Sequence, residues 1–260
     1  MQLAAQPRFS CMRQLEVAEV HHSPLNTAKS YLLLGERVVV VDTGPPDRGQ
    51  RGDAVRRALA EAGRRPEDVS LIVATHAHPD HVGNAAALRA WTGAPIAADP
   101  NELACFEGRE RAAATPTGLA GRLFRLTPLP HERFAAFTPD ILVDADFDLR
   151  NFGVAADLHR CGGHTPGSLA VHVPSSGELL AIDLVAGGIG IGGIALHGRV
   201  IEPPFHEDRA AVHGALSKLL ELGDVETIHV CHGGPLRPHD VRAFLPRLAA
   251  ELRLCGELAR

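Results

Sequence analysis

Residues 73–84 read VATHAHPDHVGN, and three histidines and an aspartate fall within six positions of this stretch. They are His76, His78, Asp80 and His81, in the pattern H-x-H-x-D-H. The pattern directly follows the apolar run SLIVAT, so it lies where a buried strand ends and a helix begins. Imidazole nitrogens and carboxylate oxygens are the ligands that catalytic Zn²⁺ and Fe²⁺ accept. The stretch therefore indicates half of a metal site, even in a chain with 15 histidines.

The other half of such a site should stand at later strand ends, where α/β folds place their ligands. Three residues lie at such strand ends or in the turns beside them. His164 lies in the turn CGGHTPGS, Asp183 ends the run LLAID, and His232 ends VCH before two glycines. Small residues follow or surround each of them and leave room for a ligand. Cys231 precedes His232, and because neighbours on a strand point to opposite faces we expect Cys231 to face the core.

The first half of the chain alternates strands and helices. SYLLL and RVVVVDTG, separated by Gly35 and Glu36, are typical of a hairpin of buried strands. The segments GQRGDAVRRALAEAG and GNAAALRAWTG have helical spacing and each ends in glycine, with the strand VSLIVATH between them. This alternation predicts an α/β layered fold.

The second half begins with an irregular stretch, residues 99–140, which contains short helical pieces and several prolines. Short strands then follow, together with a glycine-rich loop at 187–193 and a helix over 206–223. A closing helix should be interrupted at Pro246. The chain shows no repeat and no linker, so we expect one domain over residues 1–260, with a substrate lid inserted around 99–140.

Composition narrows the possible partners. The 260 residues are 45% hydrophobic with a formal net charge of −5, and no basic stripe is present that could bind nucleic acid. The N-terminal residues resemble no signal peptide, and no apolar run is long enough to cross a membrane. Five cysteines without a CxxC pair indicate reduced thiols in a cytoplasmic protein. We expect a small-molecule substrate, neither nucleic acid nor membrane as partner, and leave an oligomer open.

The motifs VVVVDTG, THAHPDH, GHTPGS, LLAID and VCHGG occur in this order between about residues 30 and 235. With them the chain resembles the metallo-β-lactamase superfamily. The resemblance implies an αβ/βα four-layer sandwich, in which two β-sheets pack together with helices outside. It also implies that Asp42, in VDTG, orients a ligand histidine by a hydrogen bond.

The resemblance assigns the ligands to two divalent ions, with zinc preferred and iron or manganese as alternatives. One ion would be held by His76, His78 and His164. The other would be held by Asp80, His81 and His232, and Asp183 would bridge the two ions. The implied reaction is attack by a metal-bridged hydroxide, with Asp80 as the catalytic residue that orients the hydroxide.

Differences between this chain and the usual residues of the superfamily indicate which branch it resembles. Aspartate at position 183 resembles glyoxalase II and lactonases, whereas lactamases carry cysteine there, so the predicted function is cleavage of a thioester or lactone. Only 28 residues follow His232, too few for the helical region of glyoxalase II, and Tyr31 does not match the substrate-contacting tyrosine of lactonases. Ile182 replaces a usual glycine, which should alter only local packing. The alternative function is that of persulfide dioxygenases, which use one iron held by two histidines and an aspartate.

Substrate selection is expected to depend on the stretch between His81 and His164 and on the loop 187–193. Apolar residues in that stretch would either line a pocket or pack the insert; they are Phe106, Leu123, Phe124, Phe134 and Phe137. If they line a pocket, an acyl thioester or an apolar lactone fits better than a highly charged substrate. His21 and His22, in a polar loop, are candidate substrate contacts.

Overall fold

The computed structural model describes residues 15–22, 28–47, 49, 51–188 and 195–257. Within these residues the chain forms two mixed β-sheets. The first sheet has the order β1-β2-β3-β4-β5-β6. Its strands are β1 (Glu16–His21), β2 (Lys29–Leu34), β3 (Val38–Val41), β4 (Val69–Ala74), β5 (Ile96–Ala98) and β6 (Ile141–Leu142). β1, β2 and β3 pair antiparallel, and β3, β4, β5 and β6 pair parallel.

The second sheet has the order β11-β10-β9-β8-β7 in the described part of the chain. Its strands are β7 (Phe147–Asp148), β8 (Asp157–Arg160), β9 (Leu169–Val173), β10 (Glu178–Ile182) and β11 (Thr227–Val230). β10 and β11 pair parallel and the other neighbours pair antiparallel. The run DILVDADFDL therefore contributes to both sheets, because its first strand joins β5 and its second joins β8.

Helices follow or precede most of these strands. They are α1 (Asp53–Glu61), α2 (Pro79–Val82), α3 (Ala85–Thr92), α4 (Leu103–Phe106), α5 (Leu119–Phe124), α6 (Arg209–Leu220) and α7 (Pro238–Cys255). Where the structure describes the chain, none of its helices has the length and apolarity needed to cross a membrane.

In the described ranges of the chain, three apolar cores separate four layers. On β3, Val39 and Val41 belong to the core between the two sheets, whereas Val38 and Val40 pack against the helices outside the first sheet. This alternation follows from the two-residue period of a strand, and it makes β3 apolar on both faces. A third core joins the second sheet to α6 and α7. The predicted αβ/βα four-layer sandwich is confirmed.

The predicted interruption of the last helix is wrong, because α7 continues through Pro246. Proline removes the backbone N–H that would bond to the carbonyl of Arg242. Both residues are exposed, so water can satisfy the freed carbonyl, and the apolar face of α7 continues to anchor the helix through Leu245 and Leu248.

Both sheets end at one common edge. The carboxyl ends of β3 and β4 coincide because these strands are parallel, and the same holds for β10 and β11. The amide of Leu169, at the start of β9, donates to the carbonyl of Thr75 just after β4, with N and O 3.0 Å apart. This bond ties the two sheets together, so loops from both sheets meet at the same place.

Candidate metal centre

The motif H-x-H-x-D-H forms a tight turn at this common edge. His76 and His78 leave the end of β4, and Pro79 opens the short helix α2, a position where its missing N–H is not needed. The amide of His81 donates to the carbonyl of His78 at 3.0 Å. The turn brings Asp80 and His81 back toward the sheets, next to the two histidines that precede them.

Three imidazoles converge at one point. His78 Nδ1 lies 3.1 Å from His76 Nε2 and 3.0 Å from His164 Nε2. His76 and His164 are almost fully buried. His164 comes from the turn between β8 and β9, where Gly163 has φ +88°, and a Cβ there would lie 2.6 Å from the backbone nitrogen of Val212. Only glycine allows this turn to pack so closely against α6.

The opposite ring nitrogens fix the tautomers in this group. His78 Nε2 donates to the carbonyl of Ala113 at 3.0 Å, and His164 Nδ1 donates to the carbonyl of Phe205 at 2.9 Å. A carbonyl can only accept, so the proton of each neutral ring lies on that outer nitrogen. The inner nitrogens, which face one another, are therefore lone-pair donors suited to a metal ion.

A second group surrounds His81 Nε2. Asp183 Oδ2 lies 3.3 Å from His81 Nε2, 3.4 Å from His232 Nε2 and 3.6 Å from His164 Nε2. Asp80 Oδ2 lies 3.3 Å from His232 Nε2. One oxygen of Asp183 thus stands between the two groups, as a bridging ligand would.

Asp42 holds the second group in place. It is fully buried, and its Oδ2 accepts from His81 Nδ1 at 2.7 Å and from the hydroxyl of Thr75 at 2.8 Å. Its other oxygen accepts from the amide of Thr75 at 2.9 Å. With Nδ1 committed to Asp42, His81 presents Nε2 to the site.

Burial and charge divide the site into two electrostatic halves. Burial and the neighbouring histidines lower the pKa of His76 and His164 well below the usual range, so both imidazoles are neutral. Burial opposes the charge on Asp183 and Asp80, but the nearby histidines prevail and lower the pKa of both carboxyls. Burial also opposes a charge on His81 and His232, but Cys231 and Asp183 raise the pKa of both imidazoles well above the usual range, so the two ionised carboxylates face protonated imidazoles on that side of the site.

The residues present fit metal ions. Among the described residues, the buried atoms His81 Nε2 and Asp183 Oδ1 have no hydrogen-bond partner. Leaving such atoms unpaired in a protein interior costs free energy, and a cation between them would remove that cost. Five imidazoles and two carboxylates form a nitrogen and oxygen donor set of the kind catalytic zinc sites use.

Comparison with known proteins agrees with the observed fold. The family model described as "Metallo-beta-lactamase superfamily" matches residues 25–232. The chain belongs to the metallo-β-lactamase superfamily. This superfamily consists generally of hydrolytic metalloenzymes, and the match spans all seven predicted ligand positions.

Solved structures show the same fold. A metallo-beta-lactamase family protein of Thermus thermophilus is 24% identical, with a TM-score of 0.63 over 92% of this chain and 79% of that chain. The B3 metallo-beta-lactamase BLEG-1 is 20% identical, with a TM-score of 0.61 over 90% of this chain and 99% of that chain. At these identities the similarity concerns the fold alone.

Among curated proteins, "Metallo-beta-lactamase domain-containing protein 1" of Mus musculus is 54% identical over 46 residues. The matched segment is 18% of this chain and 16% of the mouse protein. The human protein of the same name is 48% identical over 46 residues, again 18% of this chain and 16% of the relative. The similarity is local and covers a small part of each protein.

Glu102 is a site residue that the sequence motifs do not contain. Its side chain is buried, and it accepts from the amide of Ala77 at 2.9 Å and from the amide of Gly167 at 3.0 Å. Ala77 separates His76 from His78, and Gly167 lies in the turn that carries His164. One carboxylate therefore joins the two loops that supply the three converging imidazoles.

His206 also contributes to the site, although the sequence gives it no motif. It is buried, its Nδ1 lies 3.1 Å from His164 Nδ1, and burial lowers its pKa to about 3. His206 follows Phe205, whose carbonyl orients His164. A neutral imidazole thus backs a predicted ligand, and only the three-dimensional fold places it there.

Ile182, where the superfamily usually has glycine, affects the backbone conformation as well as local packing. Ile182 has φ +53°, in the left-handed region that β-branched residues rarely adopt, and the pairing of β10 with β11 shifts register there. Glycine would take this conformation without strain. The strain, of the order of 1–3 kcal/mol, precedes the predicted bridging ligand Asp183 directly.

Cys231 packs in the core between the sheets, as expected, but it also lies close to the site. Its side chain is fully buried in the core between the sheets, yet its sulfur lies within 4.8 Å of the ligand atoms of Asp80, His81 and His232. β11 ends at Val230, so Cys231 follows the strand and the alternation of faces no longer applies.

Most of the phenylalanines between His81 and His164 pack the interior. Phe106 and Phe137 are buried and stacked, with ring centroids 5.1 Å apart, and Phe134 packs against Phe137. Phe124 stacks on Phe205 at 5.6 Å, beside the carbonyl that orients His164. Phe106 and Phe137 therefore pack the insert and do not line a pocket.

The two histidines predicted as substrate contacts, His21 and His22, differ in their exposure. His22 is enclosed against Gly44 and shares a hydrogen bond with the Ser30 hydroxyl at 2.7 Å, and burial lowers its pKa to about 4. Its neighbour His21 is exposed. Of the glycine-rich loop 187–193, Gly187 and Gly188 are described, and residues 189–193 lie outside the described residues.

Proposed function

We propose that the protein is a dinuclear metal-dependent hydrolase that cleaves an ester-like bond, a thioester or a lactone. The observation that carries the proposal is the position of Asp183 Oδ2, within 3.3–3.6 Å of His81, His232 and His164. A carboxylate oxygen shared between two separate ligand groups suits two ions a few ångströms apart. Zinc is the preferred ion for this donor set, with manganese or iron as alternatives.

Each residue of the site would have a distinct role. His76, His78 and His164 would hold one ion, and Asp80, His81 and His232 the other, with Asp183 between them. Bound ions would supply an activated water at neutral pH and polarise the scissile carbonyl. The protein supplies fixed donor geometry through Asp42 and Glu102, so little reorganisation is needed.

Asp80 faces the open side of the site. Its side chain is 39% exposed and that of His232 is 27% exposed, whereas His81 is fully buried. A substrate would therefore approach past Asp80 and His232. From this position the ionised carboxylate of Asp80 can orient an attacking water and accept its proton.

A mononuclear oxygenase reaction needs only two histidines and a carboxylate, such as His76, His164 and Asp183. It would leave Asp80, His81 and His232 converging without a function. In the described part of the chain the buried Nε2 of His81 has no hydrogen-bond partner, although Asp183 Oδ2 lies 3.3 Å away, and this favours a second ion at that position. The dinuclear hydrolase is accordingly the function that the whole donor set supports.

The insert around 99–140 supports an apolar acyl group in the substrate. Gly121 of α5 packs so closely on the carbonyl of Pro204 that a Cβ would lie 2.1 Å from that oxygen, and Thr117 donates to the carbonyl of Pro203. These bonds fix α5 beside the segment that orients His164. Leu119 and Leu123 of α5 remain 73% and 60% exposed, so this lid offers apolar surface near the site.

The proposed surroundings are those of a cytoplasmic enzyme with a small-molecule substrate. Four cysteines within the described residues are free thiols, namely Cys105, Cys161, Cys231 and Cys255. The net charge of −5 supports neither nucleic acid nor an anionic membrane as partner. An oligomer is compatible with the exposed leucines of the lid.

The test is a hydrolysis panel on zinc-loaded protein, with acyl thioesters and acyl lactones of increasing chain length, run with and without oxygen. We expect oxygen-independent hydrolysis that is lost on treatment with a chelator and restored by zinc. The matched control is His239→Ala, which removes an exposed histidine outside the site and should retain full activity. Hydrolysis that survives complete metal removal, or turnover that consumes oxygen, would contradict the proposal.

A further inference from the structure

A sulfur atom lies beside the second group of ligands. The donor atoms of Asp80, His81, Cys231 and His232 all lie within 4.8 Å of one another. In a tetrahedral zinc site with Zn–S of about 2.3 Å and Zn–N of about 2.0 Å, the sulfur and nitrogen ligands are about 3.5 Å apart. The 4.8 Å limit is about 1.3 Å above that separation, so binding an ion would draw the four atoms together.

The position of Cys231 follows from the end of β11. Its amide donates to the carbonyl of Ile182 at 3.2 Å, so its backbone is held next to the strained residue that precedes Asp183. The side chain is fully buried. A buried thiol at this place has the ligand groups on one side and the core between the sheets on the other.

An independent feature points to a ligand at the same place. His81 Nε2 is buried and has no hydrogen-bond partner among the residues that the structure describes, although its other nitrogen is hydrogen-bonded to Asp42. That nitrogen belongs to the same group of four atoms as the sulfur. A cation at this point would satisfy the nitrogen and lie within reach of the thiol.

We infer that Cys231 is a sulfur ligand for the ion held by Asp80, His81 and His232. This assignment rests on the metal centre of the proposed function and adds a soft donor to one of its two positions. On binding, the thiol releases its proton to solvent and the sulfur coordinates as a thiolate. Because thiolates favour zinc over magnesium, calcium and manganese, Cys231 would make this position selective for zinc.

The test uses the full chain loaded with Co²⁺ in place of zinc. Visible absorption bands report cobalt in a protein site, and a near-ultraviolet band from thiolate to cobalt reports a sulfur ligand. We expect both features in the unmodified protein and in Cys105→Ser, whose half-buried thiol lies on α4 outside the site. In Cys231→Ser the ultraviolet band should be lost while the visible bands remain.

Three results would overturn the assignment, in two distinguishable ways. The unmodified protein could show visible bands but no ultraviolet band, or the ultraviolet band could persist in Cys231→Ser. Either result would show that cobalt binds but that Cys231 is not its ligand. No cobalt bands at all would overturn the metal centre and the sulfur ligand together.

X-ray absorption of the unmodified zinc protein serves if Cys231→Ser does not fold. The assignment predicts a sulfur neighbour at about 2.3 Å, averaging about half a sulfur per zinc when two ions are bound. A spectrum fitted by nitrogen and oxygen neighbours alone would overturn it.

Discussion

Replacing Glu102 should weaken both the fold and the metal centre. Its buried carboxylate accepts from the amides of Ala77 and Gly167, at 2.9 and 3.0 Å. Hydrogen bonds to a charged group contribute about 1.5–3 kcal/mol each. Glu102→Gln keeps one oxygen but turns an NH₂ group toward the other amide, so one bond is lost. Glu102→Ala loses both and leaves two buried N–H groups unpaired.

The expected loss of unfolding free energy is about 2 kcal/mol for Glu102→Gln and about twice that for Glu102→Ala. For a chain of this size, each kcal/mol lowers the Tm by roughly 2–4 °C, so the Gln variant should melt about 4–8 °C lower. Because Ala77 separates His76 and His78, zinc affinity should also fall, by about tenfold or more. Thermal unfolding of the metal-free protein and chelator competition measure the two effects separately.

Glu107→Gln is the matched control, since Glu107 lies nearby but is partly exposed and bonds to Arg109 at the surface. It should change stability by no more than about 0.5 kcal/mol. The reasoning is refuted if Glu102→Gln melts and binds zinc like this control. A lower Tm with unchanged zinc affinity would refute the claim that Glu102 positions the ligand loops.

Three further predictions concern other contacts. Asp42→Asn should lower affinity for the ion at His81 by about 10–100-fold, measured by chelator competition, because the carboxylate that orients this ligand is lost; unchanged affinity would contradict it. Glu19→Gln should destabilise the fold by about 3 kcal/mol in urea unfolding at pH 7, since Lys29 is 2% exposed and Glu19 is its ion-pair partner at 3.1 Å. Burial opposes its charge, but His229 and Lys29 lower the Glu19 pKa from 4.5 to about 2, so this contribution is present above pH 4.5 and lost as pH falls to about 2. The variant should therefore lose less stability than the unmodified protein across that range, and equal losses would count against the ion pair. His78→Ala should abolish metal-dependent hydrolysis while circular dichroism shows the fold retained, and full activity would remove His78 from the ligands.

Much of the architecture could be predicted because apolar periodicity and turn residues report it directly. The run VVVV is apolar on both faces because β3 lies between two cores, and glycine or aspartate marks where it ends. The H-x-H-x-D-H motif was informative because its members are neighbours in sequence and lie on one turn.

The remaining parts of the site depend on contacts between distant segments. Glu102 acts through backbone amides of Ala77 and Gly167, and backbone groups leave no residue pattern to find. His206 reaches His164 across more than forty positions, at 3.1 Å. The direction of Cys231 depends on the residue where β11 ends, and strand ends are the least predictable part of an element.

The left-handed conformation of Ile182 was likewise hidden. An isoleucine in a strand predicts extended backbone, and only the register shift against β11 reveals that the chain bends there. A glycine at this position would have signalled the bend.

The central claim is that two ligand groups share Asp183. The most direct test counts zinc ions per chain by elemental analysis after loading and desalting, in the unmodified protein and in Asp183→Ala. The account predicts two zinc ions per chain in the unmodified protein and loss of at least one in the variant. A single ion in the unmodified protein, or two ions retained without Asp183, would contradict it.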